Sequence, residues 1–358
     1  MNEKRDKKDF FRLLGSLAGA GVCIAAIVFC IDPFYHYHGV WFGLPVILEN
    51  AVYQTPGAAR HLDYDSVIIG TSMTENFYAS WFDELGWDTV KLSYSGARTD
   101  DLRAILEQIY SREEPPKNIV MDINAYQLTE ASWTAYVERP EYLYTNNLLT
   151  DVPYLYNHDI LLECLERVAD GLQGRESNTD TAYTWGDGYY FGEQAALRAA
   201  EPTKCMLMES EAVKADLQEM LHRCDENLGN ITPYIEEHPE TQFYIFYPPY
   251  SMLYWEQEIL KGELYEILEV FGHSMHCLTA YENVHIYYFQ NETEIIANLD
   301  NYRDATHHRP EYNRFIFECI RDNVNIVTED NIGQYIADMY QYASEFDYGA
   351  LWGEETLE

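Results

Sequence analysis

Ser72 stands two residues behind Gly70 in VIIGTSMTENF (residues 67–77), where an apolar, β-prone run gives way to polar, helix-compatible residues. A serine hydroxyl is a weak nucleophile until a base takes its proton, and the base works best when a carboxylate holds it. Asp304 and His307, in DATH, supply those two residue types. Three positions apart on a loop or first helical turn, they can face the same way, so that the carboxylate holds one imidazole nitrogen while the other looks outward. His308 follows directly, and a shift of one residue would put it in that role. Negative charge developing on a substrate oxygen needs N–H donors. The candidates are the backbone of Ser72 and Met73 at a helix start, Gly96 in YSGAR, where glycine lets backbone approach, and the side-chain amide of Asn124 in MDINAY. Asp122 of the same block is a second group able to point into such a site. The chemistry these residue types point to is acyl transfer through an acyl-serine.

Taken singly, each residue has a plainer use. Ser72 suits a helix cap, Gly96 a turn, Asn124 a strand end, and Asp304 the cap of a following helix. Their order and the elements around them separate the two readings. The alternation predicts strands at Asp65–Gly70, Thr89–Ser93, Asn118–Ile123, Gln242–Tyr247 and Val284–Tyr288. Helices are expected at Thr74–Leu85, Thr99–Tyr110, Glu209–Glu237, Glu256–Phe271, Glu311–Asp322 and Glu329–Phe346. Strands alternating with helices at these lengths imply βαβ units and a parallel sheet. The expected fold is α/β: a flavodoxin-like three-layer fold with a central parallel sheet of about five strands. Ligands bind such sheets at the carboxyl ends of the strands, and Ser72, Gly96 and Asn124 each fall at such an end, with Asp304 and His307 in the turn-rich run after the last strand. Residues 125–208 break the alternation and read as an insertion shaping one side of the site.

Leu13–Ile31 is an uncharged apolar run long enough to cross a bilayer as a helix. Lys4, Arg5, Lys7, Lys8 and Arg12 precede it and Asp32 follows, so an uncleaved anchor with its N-terminus in the cytoplasm and the main domain outside is expected. A cleaved signal peptide is the alternative. The expected organisation is a basic tail (1–12), the anchor (13–31), a juxtamembrane connector (32–62) and one extracytoplasmic domain (63–358). The formal net charge of −37 excludes phosphate-backbone binding, and with it nucleic acid as a partner. The 31 tyrosines suit amphipathic surfaces such as sugar-facing grooves, and equally half-buried packing. Cys164, Cys205, Cys224, Cys277 and Cys319 contain no CxxC, so no zinc framework is read from them; reduced thiols or a single bridge, Cys205–Cys224, are the alternatives. His273, His276 and His285 have no acidic companion at a helical offset, so no metal site and no cofactor is expected.

The ordered blocks GTS, YSG, DINAY and DATH resemble the SGNH/GDSL-type hydrolase superfamily over about residues 63–325, outside the insertion. The likeness is to its membrane-anchored, divergent branch, which includes the D-alanyl-transfer protein of teichoic acid synthesis and acetylation proteins of exopolysaccharides. The serine block reads GTSMT where the family has GDSL, and the third block reads MDINAY where it has Gly-x-Asn-Asp. The resemblance implies Ser72 as nucleophile, Asp304 and His307 as the remaining triad members, and an oxyanion hole from Ser72, Gly96 and Asn124. It further implies an esterase or O-acyltransferase acting on a cell-envelope glycan or polymer, with a membrane acyl-loading protein as partner. The alternative is a protein that kept this fold for glycan binding or envelope assembly and lost turnover.

Overall fold

Ser66–Ile69 (β1) is apolar on both faces and fully buried, the signature of a strand covered by helices on either side. The computed structural model describes residues 3–132, 138–145, 147–210 and 215–353. It is a mixed α/β protein with one six-stranded sheet. The further strands are Thr89–Lys91 (β2), Asn118–Asp122 (β3), Gln242–Tyr247 (β4), Val284–Tyr288 (β5) and Ile326–Val327 (β6). Their order is β2-β1-β3-β4-β5-β6. The first five are parallel, and β6, which the sequence reading did not find, is antiparallel to β5. At two residues, β6 is too short to show a period. The register pairs Ile69 with Met121 and Asp122 with Phe246, so β3 ends one residue beyond β1 and β4 one residue beyond β3. On one side of the sheet Ile68, Val120 and Phe246 pack with Phe77, Phe82, Ile316 and Phe317.

The helices depart further from expectation. Behind Ser72 there is one turn, Ser72–Glu75, and then a 3-10 helix, Ala79–Leu85. Asn76 separates them, and its Oδ1 accepts hydrogen bonds from the Trp185 and Gly186 N–H groups, so a long-range contact overrides local helix propensity. The expected helix over 209–237 is two pieces, Leu217–Leu228 and Thr232–Glu237. Pro233 lies in the first turn of the second, where proline is tolerated; residues 211–214 lie outside the described residues. Gly262, in the left-handed region at φ 78°, divides Met252–Lys261 from Leu264–Thr279.

The chain divides into two units, Met1–Asp63 with Glu138–Thr179, and Tyr64–Val137 with Asp180–Glu358. The segment 125–208 is thus not one insertion: its middle belongs with the N-terminal residues and its flanks belong with the sheet. Residues 133–137 and 146 of it lie outside the described residues. In the first unit the helix Glu3–Ile31 contains a 25-residue stretch, Lys7–Ile31, apolar enough to cross a membrane or act as a signal. Phe10, Phe11, Leu13, Leu17 and Val22 on it are exposed. At its end Asp32 accepts hydrogen bonds from the backbone N–H groups of His36, Tyr37 and His38 and from the Tyr154 hydroxyl. Val28, Phe34, Leu143, Tyr154, Ile160 and Cys164 form this unit's core. All seven cysteines are free thiols, so Cys205 and Cys224 are not bridged.

Candidate active site

β1 ends on Gly70, whose φ of 139° lies outside what a side-chain-bearing residue readily adopts. A Cβ there would meet Asp122 Oδ1 at 1.9 Å. Glycine is required because the Asp122 carboxylate, fully buried at the end of β3, reaches across to the turn. It accepts from the Thr71 N–H (2.8 Å) and the Thr71 hydroxyl (2.5 Å). Burial raises the pKa of Asp122, against the opposing pull of the Thr71 hydrogen bonds. Thr71, not Ser72, caps the helical turn: its Oγ1 accepts from the Met73 N–H at 3.2 Å. The Ser72 hydroxyl is therefore not engaged in capping.

That hydroxyl lies 2.8 Å from His307 Nε2. On the other side of the ring, Nδ1 lies 2.8 Å and 3.0 Å from the two Asp304 oxygens. A nitrogen facing a carboxylate carries the proton, which assigns Nδ1–H as donor and leaves Nε2 to accept from Ser72. Asp304 also accepts from the His307 N–H (2.8 Å) and the Thr306 N–H (3.0 Å), which fixes the loop. Burial pushes the Asp304 carboxyl up, but the hydrogen bonds and charge of His307 outweigh it and hold it at about 2. Arg303 Nε lies 3.3 Å from the same carboxylate. His308 does not share the role: it is buried, pairs through its backbone with Tyr302, and directs Nδ1 at the Arg309 carbonyl (3.1 Å). Burial lowers its pKa to about 4.

The donors for an oxyanion sort differently from the sequence reading. The Met73 N–H is taken by Thr71. Asn124 is buried behind the turn; its amide donates to Asp122 and to Thr71 Oγ1 (3.2 Å), and its carbonyl accepts from the Tyr250 hydroxyl (2.5 Å). Asn124 thus supports Asp122 rather than standing free. Among the described residues the Ser72 N–H and the Gly96 N–H have no acceptor, and Gly96 sits at φ 73°.

Three supporting residues were not singled out in the sequence. Trp185 donates from Nε1 to the Ser72 carbonyl (3.0 Å) and sets its ring edge-on to His307, centroids 5.4 Å apart. It lies in an irregular stretch, so no period marks it. Lys91 is fully buried and donates to the Glu75 and Phe77 carbonyls, at 2.5 Å each, tying β2 to the end of the Ser72 turn. Glu75 is buried and accepts from the Ser95 hydroxyl at 2.8 Å.

Two clefts lie in this unit. One, of about 460 Å³, is lined by Thr306, Tyr126, Tyr250 and Tyr254 and by the carboxylates of Glu130, Asp216 and Glu263. The other, of about 540 Å³, holds Tyr78, Trp81, Tyr189 and Phe191 with Arg309 and Arg314. Another cavity, about 660 Å³, is lined by residues such as Leu221, Gly272 and Ile336 and includes none of the site residues.

No family model and no curated protein matches the chain. Among solved structures, one provisionally described as a platelet activating factor from Streptococcus pneumonia matches 76% of this chain and 90% of its own. The identity is 12% and the TM-score 0.40, too distant to bear on what this chain does.

Proposed function

We propose that the second unit is a serine-nucleophile acyl-handling enzyme of the SGNH type, an extracytoplasmic membrane-anchored esterase or O-acyltransferase acting on a cell-envelope glycan or polymer. The observation that carries this reading is the linear relay from Ser72 Oγ through His307 to Asp304. The Ser72 hydroxyl gives its proton to His307 Nε2 as Oγ attacks an ester carbonyl, and Asp304 holds the imidazolium that forms. The N–H groups of Ser72 and Gly96 meet the developing oxyanion. As the tetrahedral intermediate collapses, His307 returns the proton to the leaving oxygen. Water or a glycan hydroxyl then attacks the acyl-Ser72, again losing its proton to His307, and Ser72 is regenerated.

The order β2-β1-β3-β4-β5 is that of doubly wound flavodoxin-like sheets, which supports a three-layer reading of the fold. The basic residues before the apolar helix support a cytoplasmic N-terminus. The cleft of Tyr78, Trp81, Tyr189 and Phe191 offers faces against which sugar rings pack, and supports a glycan acceptor. A membrane acyl-loading partner follows from the resemblance alone. The engagement of Met73 and Asn124 favours a second reading, a glycan-binding protein of this fold without turnover.

Fluorophosphonate labelling of the detergent-solubilised full chain separates them. The expected result is a labelled wild type and an unlabelled Ser72→Ala. Equal labelling of both removes Ser72 as nucleophile. Unlabelled wild type, with glycan binding unchanged in Ser72→Ala and His307→Ala, establishes the second reading.

A further inference from the structure

His273 and Cys277 lie four residues apart on the helix Leu264–Thr279, so they sit one above the other on a single face. An acidic companion comes from another helix: Leu217–Leu228 packs beside it and delivers Asp225. His273 Nε2 lies 2.6 Å from Asp225 Oδ1 and 3.6 Å from Cys277 Sγ, and all three donor atoms lie within 4.8 Å of one another.

A tetrahedral zinc ion, with bonds of about 2.0–2.3 Å to nitrogen, oxygen and sulfur, holds its donors about 3.3–3.7 Å apart. The nitrogen–sulfur separation already has that value. The nitrogen–oxygen separation has to widen by less than about 1 Å, which a bond rotation of a mostly exposed Asp225 side chain supplies. We propose that Asp225, His273 and Cys277 bind a divalent cation of the zinc class, with the fourth position open to water. The mixed nitrogen, sulfur and oxygen set selects against magnesium and calcium, which take oxygen ligands. On binding, the ion replaces the hydrogen bond between His273 and Asp225, and the Cys277 thiol releases its proton to solvent. The ion then joins two helices that without it are joined there by packing and by that one hydrogen bond. None of the three residues belongs to the Ser72 site, so the inference stands apart from the reading of that site.

The alternative is a surface hydrogen bond between His273 and Asp225 that ignores the thiol, and the thiol is what the test reads. The reduced, metal-free full chain in detergent is titrated with cobalt(II), whose thiolate complexes have a charge-transfer absorption band. One equivalent per chain is expected to produce the band, and zinc(II) to abolish it by displacement. Cys277→Ser should lose the band, while His273→Gln and Asp225→Asn each weaken binding by roughly tenfold or more. Cys205→Ser, on the separate helix Glu193–Glu209, should bind as the wild type does. Melting curves without metal check that each variant folds, and zinc should raise the melting temperature of the wild type but not of Cys277→Ser. A wild type without the band, a band that survives in Cys277→Ser, or equal loss in Cys205→Ser overturns the proposal.

Discussion

The Ser72 hydroxyl faces His307 because Thr71 caps the turn in its place. A one-position difference in the cap decides between the two uses of a serine behind a strand, and both residues are good caps by type. The support runs deeper, from Thr71 to Asp122, Asn124 and the Tyr250 hydroxyl. Asn124→Ala leaves the buried Tyr250 hydroxyl without its acceptor and removes one of the two donors to Asp122 Oδ2, which keeps the Thr71 hydroxyl, so a loss of about 1–3 kcal/mol is expected. Urea midpoints measure it, and a change no larger than that of Ser72→Ala would contradict this role. Glu75 gives a pH signature. Burial pushes its carboxyl up to about 7, with the Ser95 hydroxyl and the charges of Lys91 and His307 acting the other way. The unfolded chain titrates this group near 4.5, so between 4.5 and about 7 the folded state holds the extra proton. Stability therefore falls as pH rises through that window. Lys91, lowered by burial to about 7, acts only above it. Glu75→Gln should gain melting temperature relative to wild type steadily from pH 5 to pH 7; a difference independent of pH would refute this.

At the scale of elements, the turn after β1 depends on Gly70. Gly70→Ala places a methyl group onto the Asp122 carboxylate in a backbone conformation alanine resists. Strain and overpacking, about 1–3 kcal/mol each, predict a loss of about 2–6 kcal/mol by chemical denaturation. The five parallel strands were legible because buried β-branched and aromatic runs bounded by Gly, Pro and Asn carry a local signal. The helix boundaries were less so. Asn76 breaks a helix only because Trp185 and Gly186, more than a hundred positions away, need its carbonyl oxygen. Asp304 and His307 were legible through their spacing, and the choice of His307 over His308 was not, since it turns on which ring the loop faces outward. Asp225 was invisible for a similar reason: its partners are on another helix.

At the scale of the molecule, the chain combines a strongly acidic body with an apolar N-terminal helix whose large side chains are exposed. Lys7–Ile31 should hold the full chain in the membrane fraction through alkaline extraction, and the extracted protein should still begin before Lys7. An N-terminus beyond Ile31 in mature protein would identify a cleaved signal instead. The sheet bears on how one copy of the chain meets another. Its two outermost strands are its shortest, three residues in β2 and two in β6, and β6 runs against the direction of the others. The longer, fully buried β3 and the tyrosine-rich β4 are paired on both sides, and β6 covers β5 at Ile286 and Tyr287. A neighbouring copy therefore finds only short lengths of unpaired backbone to zip onto, and edge-to-edge aggregation is blunted by the sheet's own margins.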